Sequence, residues 1–251
     1  FATRKDWYMT WRQMKAMAVE GFEIGNHTRG HAGGSGIGPY LNMEDELLAN
    51  GLPRPTTIAW PMYQVNARTF ADLAANGYVF GRGGHFRPYR PTADNPFDIP
   101  SFSVDSRTTP QQFVQYVRQA CDGRIVALTL HGVPDIEHPG CSVEPATFKV
   151  MMQYLKDNGY KAVALRDLAE YIDPAAAAKL PPTQRDVKDA ASSRLASEEK
   201  PIAAVEIAPP PARPAARDKG RTRPEAAQRP ARKPRPGDVV VDVEEHKEKT
   251  L

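Results

Sequence analysis

Ile125-Val126-Ala127-Leu128-Thr129-Leu130, bounded by Gly123 and Gly132, is the most apolar run in the chain. It is short, β-branched at its start and flanked by breakers, which reads as a buried strand. Downstream, the spacing predicts a helix over Ala146–Asn158, a strand over Lys161–Ala164 and a last helix over Arg166–Ile172. Upstream, Thr109 caps and Pro110 opens a helix running to about Ala120. Phe97–Ser103 and Tyr78-Val79-Phe80 read as strands. Between Asn66 and Gly77 lies a helix with its own cap and stop. Thr56–Trp60 is a short strand, Met43–Asn50 a short helix, and Phe22–Asn26 a strand. Thr10-Trp11-Arg12-Gln13 has the Thr-x-x-Gln form of a capping box and opens an amphipathic helix that closes at Gly21. Strands alternating with helices give an α/β fold with parallel strands joined by helical crossovers. Such sheets bind ligands at the carboxyl ends of their strands.

The composition divides the chain. All 21 aromatic residues lie at or before Tyr171, and the last 80 residues contain none. Residues 1–173 therefore can build a core, and residues 174–251 read as a low-complexity basic Pro/Ala-rich tail, mostly disordered. From Pro201 to Pro236 there are nine prolines, with nine Lys or Arg against three acids. Sixteen basic and twelve acidic residues fall after Asp173, so the tail carries +4 and the rest of the chain −1, which makes the net +3 a property of the tail. That basicity is no argument for a nucleic-acid site on the folded part. No stretch of about 18 apolar residues exists to span a membrane. Two cysteines, Cys121 and Cys141, exclude a disulfide framework and a Cys-rich zinc site; they pair or stay free.

The polar residues just past each strand are the ones to examine. His27-Thr28-Arg29-Gly30-His31 follows the strand Phe22–Asn26. Two imidazoles four residues apart can meet one divalent ion, and the Thr28 hydroxyl can fix the turn; a plain pair of loop histidines is the alternative. His131 ends the buried strand, where it is either a general acid or base or a hydrogen-bonded core histidine. His85 and Arg87 follow a glycine-rich stretch read as a turn (Gly81, Gly83, Gly84), where they either touch substrate or lie in a solvated loop. His138 lies shortly after His131, in a loop that either rims the site or is structural.

Gly21-Phe22-Glu23-Ile24-Gly25-Asn26-His27-Thr28-Arg29-Gly30-His31 resembles the second motif of the NodB-type polysaccharide deacetylases, carbohydrate esterase family four. That motif is a His-Ser/Thr-x-x-His element after a Gly-x-Glu-Ile-Gly-Asn lead. Leu128-Thr129-Leu130-His131 is similar to the family's last motif, a strand ending Leu-x-His. The resemblance covers roughly residues 1–173 and implies a distorted (β/α) barrel. It implies a hydrolase of carbon–nitrogen bonds other than peptide bonds, removing N-acetyl groups from an amino-sugar polymer or oligosaccharide. It implies a divalent metal, usually zinc, with His27 and His31 as the histidine ligands. His131 falls at the place of the residue that protonates the leaving amine, and the family leans extracytoplasmic.

Two departures accompany the resemblance. The family's first motif, Thr-Phe-Asp-Asp, supplies a third ligand and a base. The 26 residues before His27 hold no Asp-Asp pair, and Asp6 is a poor substitute. The expectation is an amino-terminally truncated domain lacking its first strand, whose activity as it stands is doubtful. In place of the family's Arg before a Pro-Tyr-Gly turn stands Ile58-Ala59-Trp60-Pro61-Met62-Tyr63. Trp60, Met62 and Tyr63 are candidates to line the groove, with the Met62 or Tyr63 N–H for the oxyanion. Asp105 is a candidate to orient His131. Two further readings are a catalytically inactive carbohydrate-binding scaffold and an interaction protein acting through its basic tail.

Overall fold

A computed structural model describes residues 8–183 and, for the backbone alone, the strand at 238–243. The described strands are β1 (Thr57–Ala59), β2 (Phe80–His85), β3 (Ile99–Ser103), β4 (Val126–Leu130), β5 (Lys161–Val163) and β6 (Asp238–Val243). The α-helices are α1 (Trp11–Val19), α2 (Gly38–Ala49), α3 (Phe70–Ala75), α4 (Pro110–Val117), α5 (Pro145–Asp157) and the single turn α6 (Pro174–Ala177). All strand pairs are parallel, in the order β1-β2-β3-β4-β6-β5. Strands β1 to β4 curl into a half-barrel, and β6 and β5 continue its edge.

Alternation along the strands sorts the core into two faces. Phe102, Val126, Leu128 and Leu130 turn outward and pack against Phe113 and Val117 of α4 and Met151 and Leu155 of α5. Phe80, Ile99, Ala127 and Val163 turn inward and meet Leu165, Leu168 and Tyr171. Those last residues come from the 3-10 segment Leu165–Glu170 and the residue after it, where the sequence suggested a regular helix. The predicted capping box forms between Thr10 and Gln13 at α1, and the predicted cap Thr109 forms one with Gln112 at α4.

Three readings are corrected. Phe22–Asn26 is no strand; only Asn26 bridges to Ile58. The segment runs beside the sheet's edge strand, and Phe22 is exposed. The glycine-rich stretch is the body of β2, not a turn. Its glycines answer to close approach: a Cβ on Gly81 would lie 2.7 Å from the Phe97 carbonyl, and one on Gly83 would collide with the Asp98 carboxylate. The folded part also outruns residue 173. The Thr183 hydroxyl donates to the Asp98 carbonyl (2.8 Å), and Asn95 Nδ2 donates to the Leu180 carbonyl (2.6 Å). Buried polar groups at Asn95 and Asp98 need these partners, so the chain is held past the last aromatic. Strand β6 likewise falls inside the stretch read as tail, whereas 184–237 and 244–251 lie outside the described residues.

Between β5 and the segment leading to His27 the curled sheet leaves a cleft of about 770 Å³. Met14, Met43, Leu47, Ile58 and Val163 are among the apolar residues on its walls, and His27 and His31 stand at it too. Cys121 and Cys141 are separate free thiols. No helix among the described residues is long and apolar enough to cross a membrane.

Arg87, expected in a loop, is buried and grips Asp94 through two bonds of 2.7 and 2.8 Å. Burial pulls the Asp94 carboxyl upward, but the hydrogen bonds of Arg87 and Arg90 outweigh it and hold its pKa below the ordinary 3.8. Removing one partner strands the other charge in the interior. Asp94→Ala is expected to lower the unfolding free energy by about 3–5 kcal/mol in urea titrations. Because the folded pKa is depressed, Asp94's contribution is complete above the ordinary value of 3.8 and is lost as pH falls through the folded value. Asp94→Asn should therefore flatten the acid limb of the stability curve, and an unchanged limb would contradict the pairing.

Candidate functional site

The His27–His31 turn hangs from Asn26, which is 1% exposed. The Asn26 N–H donates to the Thr57 carbonyl, and its own carbonyl accepts from Ala59 N–H, both at 2.9 Å. Its side-chain oxygen accepts from the Thr28 N–H (2.9 Å), while Nδ2 donates to the Tyr40 carbonyl and the Tyr78 hydroxyl, both at 2.8 Å. Tyr78 in turn donates to Glu44, which also meets Arg54. Every polar group of a buried amide is thereby used, and the backbone leaves the sheet in one direction. Thr28 and His31 both stand at positive φ, 64° and 55°, as does Gly30 at 79°. Left-handed backbone at the non-glycine residues costs about 1–3 kcal/mol each and persists only where the surroundings enforce it. The Thr28 hydroxyl, accepting from Ala32 N–H at 2.9 Å, locks the turn as its place in the sequence suggested.

The two rings stand edge to face with centroids 4.9 Å apart. His27 Nδ1 lies 2.9 Å from the Ala59 carbonyl. A carbonyl only accepts, so Nδ1 carries the proton and Nε2 is the nitrogen with a ligating lone pair. This is the orientation by which proteins prepare a histidine for a metal. The chemistry of the donor set fits the divalent ion that the sequence resemblance implies. Among the described residues no group of three or more His, Cys, Asp or Glu gathers to hold an ion.

The Trp60–Tyr63 turn lies beside this pair, joined to it by Gly34 N–H donating to the Gln64 carbonyl (3.1 Å). Trp60 does not line a groove. It is fully buried, with Nε1 donating to the Phe97 carbonyl at 2.7 Å and its ring edge-on to Tyr40. Tyr63 cannot offer its N–H to an oxyanion either, because that N–H donates to the Trp60 carbonyl at 3.0 Å. Met62, at φ 55° and mostly exposed, is the residue whose N–H the tight turn's own bonding leaves over.

The turn lacks an arginine in sequence but has one in space. Arg82 of β2 is fully buried, accepts the Trp60 N–H on its carbonyl (3.0 Å) and holds its guanidinium 5.0 Å above the Tyr63 ring. Sequence reasoning passed over Arg82, although a charged residue at an inward position of an otherwise glycine-rich strand was a signal. Ser101 and Thr129 continue the polar inner face: Thr129 donates to Ser101 (3.1 Å), and Ser101 to the Gly83 carbonyl (2.6 Å).

His131 follows β4, half-buried at the same carboxyl edge. Asp105, past β3, carries Arg107 on its carboxylate at 2.8 Å. Burial raises the Asp105 pKa, but Arg107's hydrogen bonds and charge, with a smaller effect of His131, bring it below the ordinary range. Asp105 thus feels the His131 imidazole while its carboxylate is shared with a surface arginine. His138 meets Asp135 at 3.4 Å within its own loop. His85 is no loop residue: it ends β2 at φ 71°, and its largely covered side chain bonds Asp98 through Nε2 at 2.8 Å.

No protein-family model, no curated protein and no solved structure matches the chain.

Asn26→Ala leaves the Tyr40 carbonyl and Tyr78 hydroxyl short of a partner and removes the Thr28 cap. The expected loss is about 1–3 kcal/mol in denaturant titration. Thr28→Ala, which removes one backbone bond at the turn, should cost less. Equal losses would contradict the central place of Asn26.

Proposed function

We propose that this protein is a metal-dependent hydrolase that removes N-acetyl groups from an amino-sugar polymer. The observation that carries this reading is the His27–His31 pair, preset by the Ala59 carbonyl at the sheet edge where His131 also stands. A divalent ion, zinc by ligand type, would sit on His27 and His31 and would polarise an acetamide carbonyl and acidify a water. The Met62 N–H donates a hydrogen bond to the oxygen on which negative charge develops. His131, in its protonated form, gives a proton to the departing amine nitrogen. Arg82, fixed over Tyr63, puts a buried positive charge beside the Trp60–Tyr63 turn that carries Met62.

A catalytically inactive carbohydrate-binding scaffold is the second reading. It is favoured by the two-histidine donor set, which the described residues do not extend to three. The two readings separate on turnover. The hydrolase should release acetate from N-acetylglucosamine oligomers or a peptidoglycan glycan when supplied with zinc. His131→Ala should lower the rate by about 10²–10⁴-fold with zinc content unchanged. His27→Ala with His31→Ala should abolish both. Glycan binding without acetate release would select the scaffold.

A further inference from the structure

We infer that Glu44 is a positioning residue for the histidine pair, acting by keeping the Tyr78 proton away from Asn26. The inference rests on the metal-site reading above only where zinc affinity is the readout. A phenol has one proton to give and lone pairs with which to accept. Tyr78, buried, gives its proton to Glu44 Oε2 (2.9 Å) and accepts from Asn26 Nδ2 (2.8 Å). Burial, followed by the Glu44 hydrogen bond, pushes the Tyr78 pKa upward, so the hydroxyl keeps that proton. The direction of these bonds is set at their far end. Arg54 Nε, which only donates, meets Glu44 Oε1 at 2.7 Å, and Oε2 is left to accept from Tyr78. The Tyr78 oxygen then faces Asn26 as an acceptor. With the Tyr40 carbonyl it takes both protons of Nδ2, which leaves Asn26 Oδ1 for the Thr28 N–H at 2.9 Å.

Without an acceptor at position 44 the same phenol becomes a competitor. A buried donor that loses its partner shifts an equilibrium by about fivefold or more. The amide that Tyr78 already touches carries an acceptor of its own, Asn26 Oδ1. Turning the amide to offer that oxygen sets Nδ2 against the Thr28 N–H, donor against donor. The Thr28 cap is then lost, and with it part of what enforces the left-handed backbone at Thr28 and His31. Glu44 thus reaches His27 and His31 through Tyr78 and Asn26, by occupying a proton.

Helix α2 meets the histidine turn at other points too. The Pro39 carbonyl accepts from the Arg29 N–H at 3.1 Å, and the Tyr40 carbonyl accepts from Asn26 Nδ2 at 2.8 Å. Both are backbone groups that a side-chain replacement leaves in place. Glu46 pairs with the Arg29 guanidinium at 3.0 Å, but the Arg29 side chain is mostly exposed, where an ion pair contributes little. Glu44 is the buried acid of α2, and Arg54, its ion-pair partner, is half-exposed, so replacing Glu44 strands no buried cation. The effect of the replacement therefore falls on Tyr78.

The test follows hydrogen exchange of the Thr28 amide in the full chain without metal, and zinc affinity by calorimetry. Glu44→Leu should speed Thr28 exchange by at least about fivefold. It should weaken zinc binding by about tenfold, the lower end of what outer partners of metal ligands contribute. Glu44→Leu combined with Tyr78→Phe removes the competing proton and should return both readouts to near the wild type, because deleting both partners of a buried bond is nearly neutral. Glu44→Gln keeps an acceptor for Tyr78 and should match the wild type at Thr28. A merely structural part for Glu44 makes the double variant at least as impaired as Glu44→Leu, and that result overturns the inference. So does unchanged Thr28 exchange in Glu44→Leu, or failure of both variants carrying Glu44→Leu to fold. A wild-type chain that binds no zinc overturns the metal reading instead, and Thr28 exchange then decides the inference alone.

Discussion

The buried amide of Asn26 fixes the geometry on which the site depends. Its backbone ties the segment to β1 through a single bridge, and its side chain simultaneously caps Thr28 and engages Tyr40 and Tyr78. Nothing else in Phe22–Asn26 pairs as a strand, so this one residue decides where the chain leaves the sheet edge. The left-handed residues Thr28 and His31 follow from it, because the chain must reverse within a few residues to reach the Arg29–Pro39 backbone bond. The ring of His27 then falls against the Ala59 carbonyl. A strained turn of this kind is stable only because a satisfied network behind it would lose more by relaxing.

The sheet contributes through the difference between its faces. Outward residues are apolar and close under α4 and α5, so the strands have no freedom to slide. Inward residues are apolar only at the base. Toward the carboxyl edge they become Arg82, Ser101 and Thr129, all buried. A polar layer inside a half-barrel costs stability unless its members bond one another, which Thr129, Ser101 and the Gly83 carbonyl do in series. The reading of the site as a place of chemistry draws on this layer as much as on the histidines.

The fold class was legible in the alternation of helix and strand signals, and the caps at Thr10 and Thr109 were legible in detail because capping is local chemistry. What failed was what depends on neighbours. Gly81 and Gly83 look like turn residues, but they are strand residues that let the Phe97 carbonyl and Asp98 approach. Trp60 looks like a groove wall next to a proline turn, yet a hydrogen bond to Phe97 draws it into the core. Asp-Val-Val-Val-Asp-Val at 238–243 has a strand pattern, but the proline-rich stretch before it made the whole region read as tail. Its pairing with β4 and β5 spans more than seventy residues of sequence and carries no local signal. The histidine turn was legible because its identity lies in adjacent residues, whereas Arg82 reaches the neighbouring Trp60–Tyr63 turn from another strand.

The central claim is that His27 and His31 jointly hold a metal ion. X-ray absorption at the zinc edge of the zinc-loaded full chain tests it most directly. The account predicts at least two imidazole nitrogens at about 2.0–2.1 Å from zinc, with their multiple-scattering signature lost when both histidines are replaced by alanine. A first shell without imidazole scattering, or one unaffected by that double replacement, would contradict it.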